Sequence, residues 1–118
     1  MRNGKRNKKT INVLIEPGSG NVFRDLNVPN PDEALAKAEL VQRITDIINE
    51  RNLTQKQAAA ILGIDQPKIS SLLRGKFDGY SSERLFRFLN SLGHDVEIVV
   101  GPSRARNKRA STRVVKAS

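Results

Sequence analysis

Residues 54–75, with the sequence TQKQAAAILGIDQPKISSLLRG, constrain the fold more than any other stretch, because they specify two short helices joined by a tight turn. Thr54 can cap the first helix with its hydroxyl, and Gly63 suits the left-handed backbone position just past the helix end. Asp65 can cap the second helix, and Gly75 marks its end. The spacing predicts buried stripes, Ala58, Ala59, Ile61 and Leu62 on the first helix and Ile69, Leu72 and Leu73 on the second. The stretch therefore predicts a helix-turn-helix.

The second helix carries polar side chains off its apolar stripe, and these are of types that contact DNA. Gln can hydrogen-bond adenine through two atoms, Lys can reach guanine or phosphate, and Ser can contact either strand. Because the N-terminal part of such a helix meets base edges, the predicted base-contacting residues are Gln66, Lys68, Ser70 and Ser71. Residues at helix ends and in the following loop typically bind phosphate. The predicted phosphate-contacting residues are Gln55, Lys56, Arg74 and Lys76.

The motif resembles a known family through Leu53-Thr54-Gln55, Ala58-Ala59, Leu62-Gly63-Ile64, Gln66-Pro67, Ile69-Ser70 and Leu73-Arg74-Gly75. These residues closely resemble the Cro and phage-repressor (XRE-type) helix-turn-helix family. The preceding segments, residues 19–23 and Asp25-Leu26, make the chain look like the small HigA-like antitoxins within that family. The resemblance spans roughly residues 19–101. One departure is Asp65, where the family more often has Ser or Thr, so that negative charge would lie close to DNA.

The resemblance implies two activities. One is repression of an operon through double-stranded DNA with a palindromic operator, which implies a homodimer because one motif contacts only a few base pairs. The other is neutralisation of a small toxin protein of the RelE-like fold, as in type II toxin-antitoxin systems. The alternative is a free-standing regulator with no toxin partner. Candidate toxin surfaces are the N-terminal segment, the acidic face of the long helix and a predicted C-terminal strand.

Composition argues against several other classes of protein. The chain has no cysteine and a single histidine, His94, which leaves no basis for a disulfide framework, a thiolate metal site or a His-dependent triad. It has no glycine-rich phosphate loop, nucleophile elbow or metal-ligand cluster, so we predict no catalytic residues, no metal and no cofactor. No apolar run approaches the roughly 20 residues that span a bilayer. A cytoplasmic, nucleoid-associated protein that is not an enzyme is the expected class.

The net charge of +9 is unevenly distributed. The ends of the chain, residues 1–12 and 103–118, hold eleven of the 21 basic residues and none of the 12 acidic ones, which leaves the segment between them at −2. Within that segment, residues 51–76 have five bases and one acid, whereas residues 13–50 have three bases and seven acids. The positive charge of the domain thus lies on the motif. The basic ends are either solvated disorder or arms that add salt-sensitive phosphate contacts.

The remaining chain predicts a mainly α fold, a small helical bundle with one short C-terminal β-strand. The longest helix begins at Asn30-Pro31 and ends near Arg51-Asn52, and Ser81 or Ser82 caps a fourth helix that Gly93 stops. Residues 94–100 (HDVEIVV) predict a strand, whose partner could be residues 10–15, a second subunit or another protein. The predicted organisation is a disordered basic arm (1–12), a DNA-binding domain (13–102) and a disordered basic tail (103–118). The dimer contact would involve the strand or the fourth helix.

Overall fold

The computed structural model describes residues 21–103 and 111–117, and this part of the chain contains five α-helices. They are α1 (Val22–Asp25), α2 (Pro31–Glu50), α3 (Gln55–Leu62), α4 (Gln66–Leu73) and α5 (Ser82–Ser91). The predicted mainly helical fold is therefore confirmed. The chain divides into two compact units between Leu35 and Ala36, and α2 begins in the first unit and continues in the second.

The first unit is organised by Asn21, the one polar side chain that is buried in the described part of the chain. Its side-chain oxygen accepts hydrogen bonds from the backbone N–H groups of Phe23 (3.0 Å) and Arg24 (3.3 Å), which caps α1. Its side-chain nitrogen donates to the Pro31 carbonyl (3.0 Å) and to the Asp32 carboxylate (3.2 Å). Arg24 also forms an ion pair with Asp32 at 2.7 Å. One buried amide thus joins α1 to the start of α2, and its donors and acceptor are all used.

The core of the second unit is built from the apolar faces of α2 to α5. Helix α2 contributes a stripe of apolar side chains to the core, Leu40, Val41, Ile44, Ile47 and Ile48. Helix α3 packs against both α4 and α5. The most completely buried large side chains are Ile44, Ile69, Leu72 and Leu85, and two of them belong to α4. Packing therefore fixes α4 on the domain through its inner face.

The predicted C-terminal strand does not form: residues 94–100 adopt no regular structure in the described chain. Val96 packs partly against the core, but Ile98, Val99 and Val100 are 72, 88 and 90% exposed. A strand exists only through backbone hydrogen bonds to a second strand, and the described residues offer none. The partner suggested within this chain, residues 10–15, lies outside the described residues. The sequence has the right residue types for a strand, but β propensity alone does not provide pairing.

The segment 111–117 contacts α2, although it falls within the predicted C-terminal tail. Val114 packs partly against the core, and its backbone N–H donates to the Glu39 carboxylate at 3.2 Å. Burial raises the pKa of Glu39 above its ordinary value of 4.5, while the Val114 hydrogen bond and the nearby Arg113 and Arg43 act in the opposite direction. Residues 1–12 and 104–110 lie outside the described residues. The three predicted segment limits therefore stay predictions.

Replacing Glu39 with glutamine is expected to stabilise the protein at neutral pH. A raised pKa means that the folded state binds the proton more tightly than the unfolded state, so stability is lost as the pH rises through the folded pKa. Glutamine stays neutral and keeps an oxygen that can accept the Val114 N–H. Urea denaturation between about pH 4 and pH 7 should show the advantage of the variant growing with pH. Glu97→Gln, a change at an exposed glutamate, is the control. If Glu39→Gln were less stable than wild type at neutral pH, this expectation would be contradicted.

Candidate nucleic-acid interface

The first helix of the motif is fixed at its start by a reciprocal pair of hydrogen bonds. The Thr54 hydroxyl accepts from the Gln57 backbone N–H at 3.0 Å, and the Gln57 side-chain oxygen accepts from the Thr54 N–H at 2.8 Å. The predicted cap at Thr54 is confirmed. The role of Gln57 was missed, although a Thr followed three residues later by Gln is the sequence signature of a capping box.

The turn between α3 and α4 has the geometry that its residues predict. Gly63 has φ of +72°, in the left-handed region, and its N–H donates to the Ala59 carbonyl at 2.8 Å. Ile64 also donates to that carbonyl, at 3.1 Å, and its side chain packs against the core. The turn therefore takes three residues, Gly63 to Asp65, and the N–H groups of the first two are bonded to the end of α3.

Asp65 occupies the predicted N-cap position of α4 but makes no side-chain capping hydrogen bond. A cap side chain accepts from the second or third helical N–H. The second helical residue is Pro67, which has no N–H, and the N–H of the third, Lys68, donates to the Asp65 backbone carbonyl at 3.0 Å. The sequence predicts the position of Asp65 correctly, and the neighbouring proline explains why its carboxylate is not used there.

The outer side of α4 carries the four residues predicted to contact bases. Gln66 and Lys68 are exposed and Ser70 and Ser71 are half-buried, whereas the inner face is fully buried. All four lie on one short helix of eight residues that the core holds in place. We call the part of α4 that the core leaves uncovered, which includes these four side chains, the α4 surface.

Arg74 adopts a conformation that sequence reasoning missed. Its guanidinium lies over α4, where Nη1 donates to the Ser70 hydroxyl oxygen at 2.7 Å and Nη2 makes a longer contact of 3.5 Å with Ser71. The signal was present in the sequence, since Ser70, Ser71 and Arg74 have the i, i+3 and i+4 spacings of neighbours on one helix face. The guanidinium thus belongs to the α4 surface.

The other three predicted phosphate-contacting residues flank α4. Gln55 and Lys56 form the exposed start of α3, and Lys76 is exposed in the loop that follows α4. The backbone N–H groups of Gly75 and Lys76 donate to the Leu72 (2.9 Å) and Ser71 (3.1 Å) carbonyls, so the loop leaves the helix in a fixed direction. The start of α3 and the loop after α4 thus present one glutamine and two lysines to solvent.

Comparison with known proteins agrees with this geometry. A family model described as a helix-turn-helix domain matches residues 22–101, which is more than half of the chain. A solved structure named as an XRE-family transcriptional regulator has a TM-score of 0.70 and 40% sequence identity, and the match covers 75% of this chain and 100% of that one. The chain belongs to the XRE-type helix-turn-helix family. Membership in this family implies DNA binding. No curated protein matches the chain.

Not every cation of the helix-turn-helix domain lies near the α4 surface. Arg51, at the end of α2, donates from Nη1 to the Leu92 carbonyl at 2.9 Å. Leu92 is the C-cap of α5, so this bond joins the ends of two helices and satisfies a terminal carbonyl. Arg51 thus contributes to the positive charge counted on the motif, but its observed contact is structural.

The aromatic residues that follow the motif, from Phe77 to Phe88, pack against the core or within it. Phe77 and Tyr80 are half-buried against the core, and the Tyr80 ring lies edge-on to Phe88 with centroids 5.9 Å apart. The Arg84 guanidinium lies 4.8 Å from the Tyr80 ring centroid and 5.5 Å from that of Phe88. Phe77 and Tyr80 therefore contribute to packing around the core.

Neither a membrane span nor a metal cluster is found in the parts of the chain that the structure describes. No helix there is long and apolar enough to cross a bilayer. Within the same residues, no group of three or more His, Cys, Asp or Glu side chains could hold a metal ion.

Proposed function

We propose that this protein is a sequence-specific transcriptional repressor that places α4 in the major groove of its operator. The observation that carries the proposal is the contrast between the two faces of α4. Ile69 and Leu72 are fully buried and fix the helix, while Gln66 and Lys68 extend from its exposed N-terminal part, where helices of this type meet base edges. Such a regulator acts where the chromosome lies, so we also propose a cytoplasmic, nucleoid-associated location.

The side chains divide by their position around the groove. Gln66, Lys68, Ser70 and Ser71 are proposed to contact base edges, because they share the α4 surface. The flanking residues Gln55, Lys56 and Lys76 are proposed to bind phosphates and so to position the helix. Basic residues outnumber acidic ones in this part of the chain, where Asp65 is the one acidic residue between residues 51 and 76.

The proposal is tested by selection from a pool of duplexes with a randomised central segment. The full-length protein should enrich a palindromic consensus, because two motifs about 34 Å apart contact equivalent half-sites. A pool that stays random after several rounds, with protein that is folded by circular dichroism, would contradict sequence-specific binding.

Replacing Lys76 with alanine should weaken binding to all duplexes alike. A cation that neutralises one phosphate contributes to affinity without regard to sequence, and its loss lowers the slope of log affinity against log salt by about 1 per subunit. Fluorescence anisotropy at several salt concentrations measures this slope on the consensus and on a scrambled duplex. Lys37→Ala, a charge removal on α2 outside the motif, is the control. An unchanged slope for Lys76→Ala would remove this residue from the phosphate contacts.

We propose a homodimer that forms through the exposed aliphatic segment Ile98, Val99 and Val100. Three consecutive aliphatic side chains with high exposure are unusual for a surface that remains in water. The segment has strand-forming residues, and its backbone groups have no hydrogen-bond partner among the described residues. A second copy offers a strand of identical composition, so antiparallel pairing would give the backbone groups along one edge of each segment a partner and bring aliphatic side chains of the two copies into contact.

Replacing Val99 with lysine is expected to shift the protein from dimer to monomer. A charge on the pairing segment opposes burial against its symmetry mate, where it would meet the same charge. Light scattering coupled to size exclusion should give twice the chain mass of 13.1 kDa for wild type and 13.1 kDa for the variant. Val115→Lys, at another exposed valine, is the control. A monomeric wild type, or a variant that remains dimeric, would exclude this interface.

A second candidate function is neutralisation of a small toxin protein, and the surface of α1 favours it. Val22 and Leu26 are exposed apolar side chains at the two ends of this short helix. They lie in a sequence region, residues 13–50, where acids outnumber bases by seven to three, which suits a basic partner such as an RNA-directed toxin of the RelE-like fold. Co-expression with each adjacent short reading frame, followed by affinity purification and a growth test, decides this. A neighbour that co-purifies and whose growth arrest is relieved would support an antitoxin, and absence of binding would leave a free-standing regulator.

A further inference from the structure

The outward face of α4 is formed by a ridge of four residues rather than by its N-terminus alone. Pro67, Ser70, Ser71 and Arg74 are spaced i, i+3, i+4 and i+7, which places them on one side of a helix. The opposite side is buried in the core through Ile69 and Leu72. The first and last members of the ridge are exposed, and the two serines between them are half-buried. Any duplex that meets α4 face-on would therefore meet this ridge.

The Arg74 guanidinium lies above the middle of the ridge although its backbone lies at the C-cap. Side chains on a helix lean toward its N-terminus, and here that direction brings Nη1 to within 2.7 Å of the Ser70 hydroxyl, one turn earlier. Nη2 lies 3.5 Å from the Ser71 hydroxyl. A guanidinium has five N–H donors, so even with both serine contacts made, each terminal nitrogen keeps one N–H for another partner.

We propose that Arg74 determines specificity by recognising a guanine in each half-site, with Ser70 and Ser71 as the residues that position it. This inference rests on the proposed DNA-binding function and names the base at that surface. Guanine presents two acceptors, O6 and N7, in the major groove, and the planar fork of arginine matches both of them. Because the serines already restrict the side chain, less rotamer entropy is lost on binding than for an unrestrained arginine.

The geometry distinguishes this role from the phosphate contact that the sequence predicts for Arg74. Phosphates lie along the edges of the groove, and cations bind them from the ends of the helix and the adjoining loops. Lys76 has such a position, whereas the Arg74 guanidinium is held over the centre of the helix face.

The test compares duplex selections with wild type, Arg74→Lys and Lys76→Ala, each first shown to be folded by its thermal unfolding. Arg74→Lys keeps the charge but removes the planar fork. The wild-type consensus should contain a guanine whose preference over the other bases falls roughly tenfold or more in Arg74→Lys, with the other positions unchanged. Lys76→Ala should retain that guanine. Replacing that guanine in the duplex with 7-deazaguanine, which lacks the N7 acceptor, should weaken binding by the wild-type protein. Binding by Arg74→Lys should be nearly unaffected.

The positioning role of the serines has its own readout. Ser70→Ala with Ser71→Ala should reduce the guanine preference severalfold while affinity for scrambled duplex stays unchanged, and Ser70→Thr, which keeps a hydroxyl, should preserve the preference. A consensus without guanine, or a guanine preference that survives Arg74→Lys, would overturn the inference. If Arg74→Lys lost the same affinity for the consensus duplex as for the scrambled duplex, the inference would also be overturned, in favour of phosphate binding. Failure of wild type to enrich any sequence would instead contradict the proposed function itself.

Discussion

Replacing Leu72 with alanine is expected to lower the free energy of unfolding by about 3 kcal/mol. Leu72 has 0% exposure and belongs to the core that α4 shares with α2, α3 and α5. Truncation removes the transfer free energy of three carbon atoms and leaves a cavity that a close-packed core fills only in part. This is a large share of the stability of a domain of this size, so the midpoint of unfolding should fall well below that of wild type.

The measurement is urea denaturation followed by circular dichroism, with Leu26→Ala as the matched control. Leu26 is 67% exposed, so the same chemical change there should alter the free energy of unfolding by no more than about 0.5 kcal/mol. If Leu72→Ala were as mild as the control, α4 would not be held by the core as described, and the basis for a rigid α4 surface would be lost.

Replacing Gln66 or Lys68 with alanine is expected to reduce binding to the operator by about 1 to 3 kcal/mol and to blur preference at one or two base pairs. Both side chains are exposed at the start of α4 and contribute nothing to the core, so the variants should be as stable as wild type. The effect should therefore lie in recognition rather than in folding.

The comparison that matters is between the operator and a random duplex of equal length. A residue that contacts a base edge loses affinity for the operator and leaves non-specific binding nearly intact. Gln42→Ala, a change at an exposed glutamine of α2, is the matched control for Gln66→Ala. Equal losses of affinity for the operator and for the random duplex would show that the residue binds phosphate, and the base-edge assignment would be wrong.

The parts of the fold that the sequence predicts correctly depend on local rules. The cap at Thr54, the left-handed turn at Gly63 and the buried stripe that includes Ile69 and Leu72 each follow from residues within one or two helical turns. Local spacing also leaves Gln66 and Lys68 off the buried face, and both are exposed. These features need no knowledge of distant contacts.

The features that sequence reasoning missed depend on contacts between distant residues or on side-chain direction. Residues 94–100 have strand-forming composition, but pairing requires a second strand that local patterns do not identify. The contact of Val114 with Glu39 joins residues 75 positions apart. The direction of the Arg74 side chain is set by rotamer choice toward Ser70, and it changes which part of a duplex that residue can meet.

The account as a whole depends on α4 being the element that meets DNA, and NMR titration with the selected duplex tests this most directly. In a chain of 13.1 kDa, the amide and side-chain signals of each residue can be followed as duplex is added. We predict that the largest shifts fall on Gln66–Leu73 and on the Arg74 guanidinium, with smaller ones at Gln55, Lys56 and Lys76. Shifts concentrated at residues 94–100 or in α1, with α4 unchanged, would contradict the account.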